Sequence, residues 1–269
     1  TLENTYKFYA MYAKIDGFVY DEQQTGKRTI LDKWILSRLN STIKLVNSYM
    51  DRYQFTQATR EIAALVDELS NWYVRRSRNR FWASGLSEDK RAAYSTLFET
   101  LTTISRLLAP FVPYVAEDIH LKLHQDSVHL QDYPKANDSM INSDLESDMQ
   151  MVLKIVELGR SIRNTKNLKV KQPLQQIIVW RSKGEHSLDA YTSIIKDELN
   201  VKDVVYTKDL SQYESAVFKL NFKTAGAAFG KLVNSVKEYI DHIPETEKKS
   251  LLYNGQLQID LKGQTVTLQ

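Results

Sequence analysis

The chain has 269 residues, 42% hydrophobic and 26% charged, which is the make-up of a folded protein with a proper core, and its length fits two domains better than one. A formal net charge of +3 is too small to imply a nucleic-acid partner, so only local clustering of cations can make that case. The absence of cysteine excludes disulfides and thiolate metal sites, and no apolar run approaches the about 18 residues of a membrane span, so the expected setting is the cytosol with no membrane partner.

The chain opens on Thr1 with helical spacing already in residues 2–15, and is expected to be a piece of a longer or processed protein. Asp16 and Gly17 stop that first helix. Residues 21–28 read as a polar loop, and Thr29 with Asp32 makes a capping box for a helix carrying Leu31, Ile35, Leu39, Ile43, Val46 and Met50 to about Tyr53. A longer helix is predicted over residues 55–82. Ser87, followed by Glu88 and Asp89, starts another that ends before Pro110, and residues 111–123, re-entered at Pro113, form a shorter one. Long helices with short connections predict an antiparallel bundle over residues 1–134.

Residues 135–143, rich in Asn, Asp and Ser, read as a linker, and a helix from Asp144 through Met151, Ile155, Leu158 and Ile162 ends in a basic junction, so that 135–172 joins two domains. The pattern then changes. Strands are expected at 175–180, 201–207, 217–222 and 256–268, the last broken by Lys262 and Gly263, with helices at 187–199, 224–240 and 244–253. The two glycines of TAGAAFG, residues 224–230, sit in a helical pattern and point to close packing. The fold class expected is mainly α, an antiparallel helix bundle followed by a small α+β domain over 173–269.

The most informative stretch is LSNWYVRRSRNRFW, residues 69–82, with Arg75, Arg76, Arg78 and Arg80, four aromatics and no acidic residue. Continued at helical spacing, the apolar stripe of Phe55, Ala58, Ile62, Leu65, Leu69 and Tyr73 runs into Arg76 and Arg80, while Arg75 and Arg78 fall opposite it. Trp72 is expected in the core, and Trp82, away from the stripe, is the candidate to stack on a base. A second acid-free tract, SIRNTKNLKVKQPL, holds Arg160 just before it and then Arg163, Lys166, Lys169 and Lys171, where a helix gives way to extended chain. Two readings of these tracts stand side by side. The cations either complement helix ends and pair with carboxylates of neighbouring elements, or meet phosphates of RNA.

Other chemistry is sparse. His120 and His124 stand one turn apart with Glu117 one turn before, which permits a metal site but equally an exposed imidazole face, and no metal is expected. No phosphate-binding glycine loop, dinucleotide turn or nucleophile elbow occurs, so no catalytic residue is assigned. The acidic pair Asp197 and Glu198 has no partner that spacing alone identifies.

The words NTYKFYAMYAKIDGF, LDKWILSRLNSTI, NWYVRRSRNRFW, LLAPFVPYVAEDIH and RNTKNLKVKQPL closely resemble the C-terminal part of the isoleucyl-tRNA synthetase family, strongly from Asn4 to about Leu174 and less so afterwards. The valyl and leucyl enzymes share a version of WILSRLN, and the valyl family is the alternative. The resemblance implies a class I ligase that uses ATP to attach isoleucine to its tRNA, with this portion gripping the anticodon stem and loop. Neither the His-x-Gly-His nor the Lys-Met-Ser-Lys-Ser element of the family is present. ATP and Mg are therefore expected only in the missing catalytic domain, with no cofactor here, and the partners implied are isoleucine tRNA and the upstream catalytic and editing domains. A different class of role is a helical scaffold whose arginines are spent in ion pairs. The two readings divide on whether both basic tracts share one open surface, and the RNA-binding reading assigns Arg76 to stability and Arg78 to RNA.

Overall fold

The helix around which the bundle is built begins at the capping box. Thr29 N donates to Asp32 Oδ2 at 2.7 Å and Asp32 N donates back to Thr29 Oγ1 at 3.4 Å. The computed structural model describes residues 1–181, 187–209, 218–261 and 263–268. Helix α1 (Leu2–Asp16) ends on Gly17, whose φ of 62° is the left-handed geometry of a helix stop. Helix α2 (Ile30–Asp51) buries Trp34, Ile35, Leu39, Ile43 and Val46, and Tyr53 at φ 56° turns the chain into α3 (Phe55–Glu68).

The long helix expected over 55–82 forms without interruption in the chain, but its middle, Leu69–Val74, is a π-helical turn, and α4 (Arg75–Trp82) follows. One extra residue per turn moves the buried stripe forward by one position, so after Leu69 and Tyr73 the core positions are Val74, Ser77 and Phe81. Arg76 and Arg80 are thereby carried off the stripe to its edge. Trp72 leaves the core as well: it is half-buried, with the Arg75 guanidinium 5.6 Å from its ring centroid.

Helix α5 (Glu88–Leu108) crosses the bundle with Tyr94, Leu97, Leu101 and Ile104 fully buried, and α6 (Pro113–Leu123) returns along it. Phe8 and Tyr9 of α1 meet Phe81 and Tyr94 edge-on, at centroid distances of 5.1 and 6.1 Å. The polar stretch expected as a linker lies along α2. Asn47 Nδ2 donates to Pro134 O at 3.0 Å, Asn137 N to Asn40 Oδ1 at 2.8 Å and Asn142 N to Ser37 Oγ at 2.8 Å. Helix α7 (Ser143–Thr165) then packs on α2, and α8 (Thr192–Leu199) packs on α7. Residues 1–174 and 186–202 make the first compact unit, and the remainder the second.

Strands β1 (Leu174–Trp180) and β2 (Val201–Thr207) pair in one sheet, with Leu174 N bonded to Asn200 O at one end and Arg181 N to Thr207 O at the other, a parallel arrangement with α8 as its crossover. The predicted strand at 217–222 does not form among the described residues. Val217 lies outside them, Asn221 caps helix α9 (Phe222–Phe229) by accepting from Lys223 N, and Phe218 and Leu220 pack on the core of the second unit. The single helix expected over 224–240 is broken at Gly230, φ 50°, before α10 (Val233–His242). Among the described residues nothing lies within 4 Å of the position of a Cβ on Gly226 or Gly230, so no close packing is seen there to require these glycines. Helix α11 (Glu245–Asn254) leads into an antiparallel hairpin of β3 (Leu257–Leu261) and β4 (Gln264–Leu268), with Ile259 opposite Val266 in the core.

Candidate nucleic-acid interface

Of the four arginines at the end of the long helix, three are bound to carboxylates of the same unit. Arg80 forks onto Asp32, Nη1 to Oδ1 and Nη2 to Oδ2, both at 2.8 Å. Asp32 is fully buried and also accepts from Tyr73 Oη at 2.6 Å, so the aspartate that caps α2 is the anchor of α4. Burial by itself raises the Asp32 carboxyl, but the hydrogen bonds and charge of Arg80, with help from Tyr73, hold it below the ordinary aspartate range.

Arg76 donates from Nη1 to Glu198 Oε1 at 2.9 Å and from Nη2 to Asp197 Oδ2 at 3.1 Å, and Arg75 donates from Nη2 to Glu198 Oε2 at 2.7 Å. Arg160 of α7 donates to the same Oε2. Three guanidinium groups from two helices thus converge on one carboxylate that is only 3% exposed. Burial raises the Glu198 carboxyl, and the hydrogen bonds of Arg75 and Arg76 together with the Arg160 charge overcome this and keep it ionised below the usual glutamate range. The convergence depends on Gly159, because a Cβ there would lie 2.6 Å from the Leu199 side chain and would push α8 away from α7.

Arg163, one turn on, is buried and faces no carboxylate among the described residues. Its Nη1 donates to the carbonyls of Lys169 and Gln172, each at 3.0 Å, and its Nη2 to those of Leu199 at 2.6 Å and Asn200 at 3.2 Å. The last two are orphan carbonyls at the end of α8, where a cation also meets the negative end of the helix dipole. This guanidinium fixes the path of residues 166–172. Lys166, Lys169 and Lys171 stand on that path, exposed, and their side chains have no partner among the described residues. Arg78 is exposed and unpaired in the same sense.

The two basic tracts therefore meet in space, through Glu198, and each divides into buried or half-buried arginines that are paired and outer cations that are not. Trp82 is 56% exposed, and its Nε1 donates to Tyr12 Oη at 2.7 Å. Trp72 and Arg160 line a cleft of about 840 Å³ between the π-helical turn and α7, together with Met151, Lys154 and Asn164. Asp32 was legible in the sequence only as a cap, and Glu198 only as half of an acidic pair; Gly159 carried no signal at all, since a single glycine within an amphipathic helix has many causes.

His120 and His124 do not lie on an exposed face. His120 is buried, its Nδ1 lies 3.0 Å from Ser105 Oγ, and the two rings stack at 4.6 Å. Burial and the Arg106 charge depress both imidazoles, and His124 depresses His120 further. Among the described residues no group of three or more metal-ligating side chains gathers, and no helix is long and apolar enough to cross a membrane.

Residues 32–178 match the protein family described as the anticodon-binding domain of tRNA ligase. The isoleucine–tRNA ligase 2 of Bacillus cereus is 52% identical over 256 residues, 95% of this chain and 25% of that protein. The isoleucine–tRNA ligase of Clostridium acetobutylicum is 40% identical over 277 residues, 100% of this chain and 26% of that protein. The chain spans about a quarter of the length of these curated relatives.

Proposed function

We propose that this chain, which belongs to the family of anticodon-binding domains of tRNA ligases, grips the anticodon stem and loop of an isoleucine tRNA on behalf of an isoleucine–tRNA ligase. The names of the relatives support isoleucine as the amino acid. The observation that carries the reading is the sorting of the cations: the arginines nearest the core are held by carboxylates or backbone carbonyls of the protein, while Arg78, Lys166, Lys169 and Lys171 stand exposed without a side-chain partner among the described residues. Unpaired cations on an ordered scaffold suit a phosphate backbone, which fixes register without reading sequence. Exposed Trp82 is the stacking candidate for an unpaired base. Activation of isoleucine with ATP and Mg belongs, in this reading, to the catalytic part of such a ligase and not to the residues of this chain, and the setting is the cytosol.

The test is a titration with an isoleucine tRNA transcript and with one altered only in the anticodon, each at two salt concentrations. Tighter binding to the intact anticodon, weakening as salt rises, supports the reading. Equal binding of both would reduce the role to holding phosphates, and no binding would overturn it in favour of a scaffold.

A further inference from the structure

Three cations around Glu198 are more than its neutralisation requires. Arg75, Arg76 and Arg160 contribute three positive charges against two negative ones, Glu198 and the exposed Asp197, so the cluster keeps a net charge of one. Arg76 pairs through Nη1 and Nη2 with both carboxylates and is sunk, with 14% of its side chain exposed and its buried Nε without a partner among the described residues. Arg75 and Arg160 differ: their side chains are 37% and 41% exposed, and both donate to the single oxygen Oε2. Two guanidinium groups on one oxygen are held close to each other, a like-charge approach that a second anion would relieve.

Both retain donors to offer. Arg75 is locked by Nε donating to Asn71 O at 2.7 Å and by the Trp72 ring, which leaves Nη1 without a partner among the described residues. Arg160 keeps Nε and Nη1 in the same condition. Forked donors already fixed in place by a buried carboxylate lose little freedom on meeting a tetrahedral oxyanion.

We propose that Arg75 and Arg160 form a two-pronged site for one phosphate group, with Glu198 as the buried positioning residue that aims them. Its occupant is a backbone phosphate of RNA, an identity that rests on the tRNA-binding reading above. The site lies where the two basic tracts join, and it gives the paired arginines a share in binding that their ion pairs alone would hide.

The experiment has two arms. In the first, the salt dependence of tRNA affinity is compared for the unaltered chain, Arg75→Ala, Arg160→Ala and the double variant. One phosphate held by both arginines means that each single change lowers the log–log slope by about 0.7 to 0.9 and that the double change lowers it no further. Slopes that fall additively, or not at all, overturn the proposal. In the second arm, inorganic phosphate is titrated into the unaltered chain while arginine Nε–H resonances are followed by NMR. Arg75 and Arg160 should shift together while Arg38, paired with Glu68 and Glu146, stays still. Stationary Arg75 and Arg160 signals overturn the site even where a variant fails to fold. A shift in this arm without any tRNA binding would leave the anion site standing and remove the RNA reading, whereas tRNA binding with stationary signals would do the reverse.

Discussion

Arg80→Ala and Arg78→Ala, two residues apart on one helix, should have opposite consequences. Arg80 supplies two 2.8 Å hydrogen bonds and, among the described residues, the only cation to Asp32, whose side chain has no exposure to solvent. Without it the carboxylate keeps Tyr73 Oη, Thr29 N and Thr29 Oγ1, at 2.6, 2.7 and 2.8 Å, as its neutral donors. Breaking a buried pair by removing one partner costs about 3 to 5 kcal/mol, and because those donors remain and Arg80 is partly solvated the lower end applies. With a urea dependence of about 2 kcal/mol per molar, the unfolding midpoint should fall by about 1.5 M. Tryptophan fluorescence reports this well, since Trp34, Trp72 and Trp82 all belong to the first unit. Arg78→Ala removes an exposed side chain without a partner among the described residues and should leave stability within about 0.5 kcal/mol, while lowering the salt slope of tRNA binding by about 0.7 to 0.9. Equal midpoints for the two variants, or an Arg80→Ala chain as stable as the parent, would refute the division into structural and RNA-facing arginines.

Arg163→Met should destabilise the first unit by about 3 kcal/mol, most of it from the Leu199 carbonyl, since water can reach Lys169 and Gln172. Its tRNA affinity, measured where the variant is folded, should fall even though Arg163 itself is buried, because the lysines lose their fixed path. Acid should unfold the unit in two stages, followed by fluorescence at constant urea. His120 and His124 are depressed in the folded state, so the unfolded chain takes up their protons first and stability starts to decline below about pH 6.5. Asp32 and Glu198 are also held below their ordinary values, so the stability they confer is present above about pH 4.5 and is lost as pH falls through their folded values. Glu68 and Glu99, raised by burial, act in the opposite sense. Asp32→Asn should therefore have a flatter acid limb than the parent, and an unchanged limb would contradict the assignment.

Local chemistry explains why so much of the bundle was legible. A helix start is written within four residues, as at Thr29 and Asp32, and a stop within two, as at Asp16 and Gly17. The fate of the arginines was not written locally. Arg80 meets an aspartate 48 residues earlier, Arg76 a glutamate 122 residues later, and both pairings follow from tertiary packing. The π-helical turn added a second obstacle, because periodicity assumes a constant turn and Leu69–Val74 changes it, so that Ser77 and Phe81 took the buried places extrapolated to Arg76 and Arg80. In the second unit, Phe218 and Leu220 alternate like a strand, yet pack as loop residues beside a helix capped by Asn221. What did carry over was side: Arg78 and Trp82, placed opposite the apolar stripe, are both exposed.

The central claim is that RNA meets the outer, unpaired cations of the two tracts. Its most direct test is the rate of lysine acetylation, read residue by residue by mass spectrometry with and without saturating isoleucine tRNA. The account predicts slower labelling of Lys166, Lys169 and Lys171 in the complex, with Lys7 and Lys44, paired to Glu3 and Asp138, unchanged. Unaltered labelling of all three lysines in a complex that demonstrably forms would contradict it.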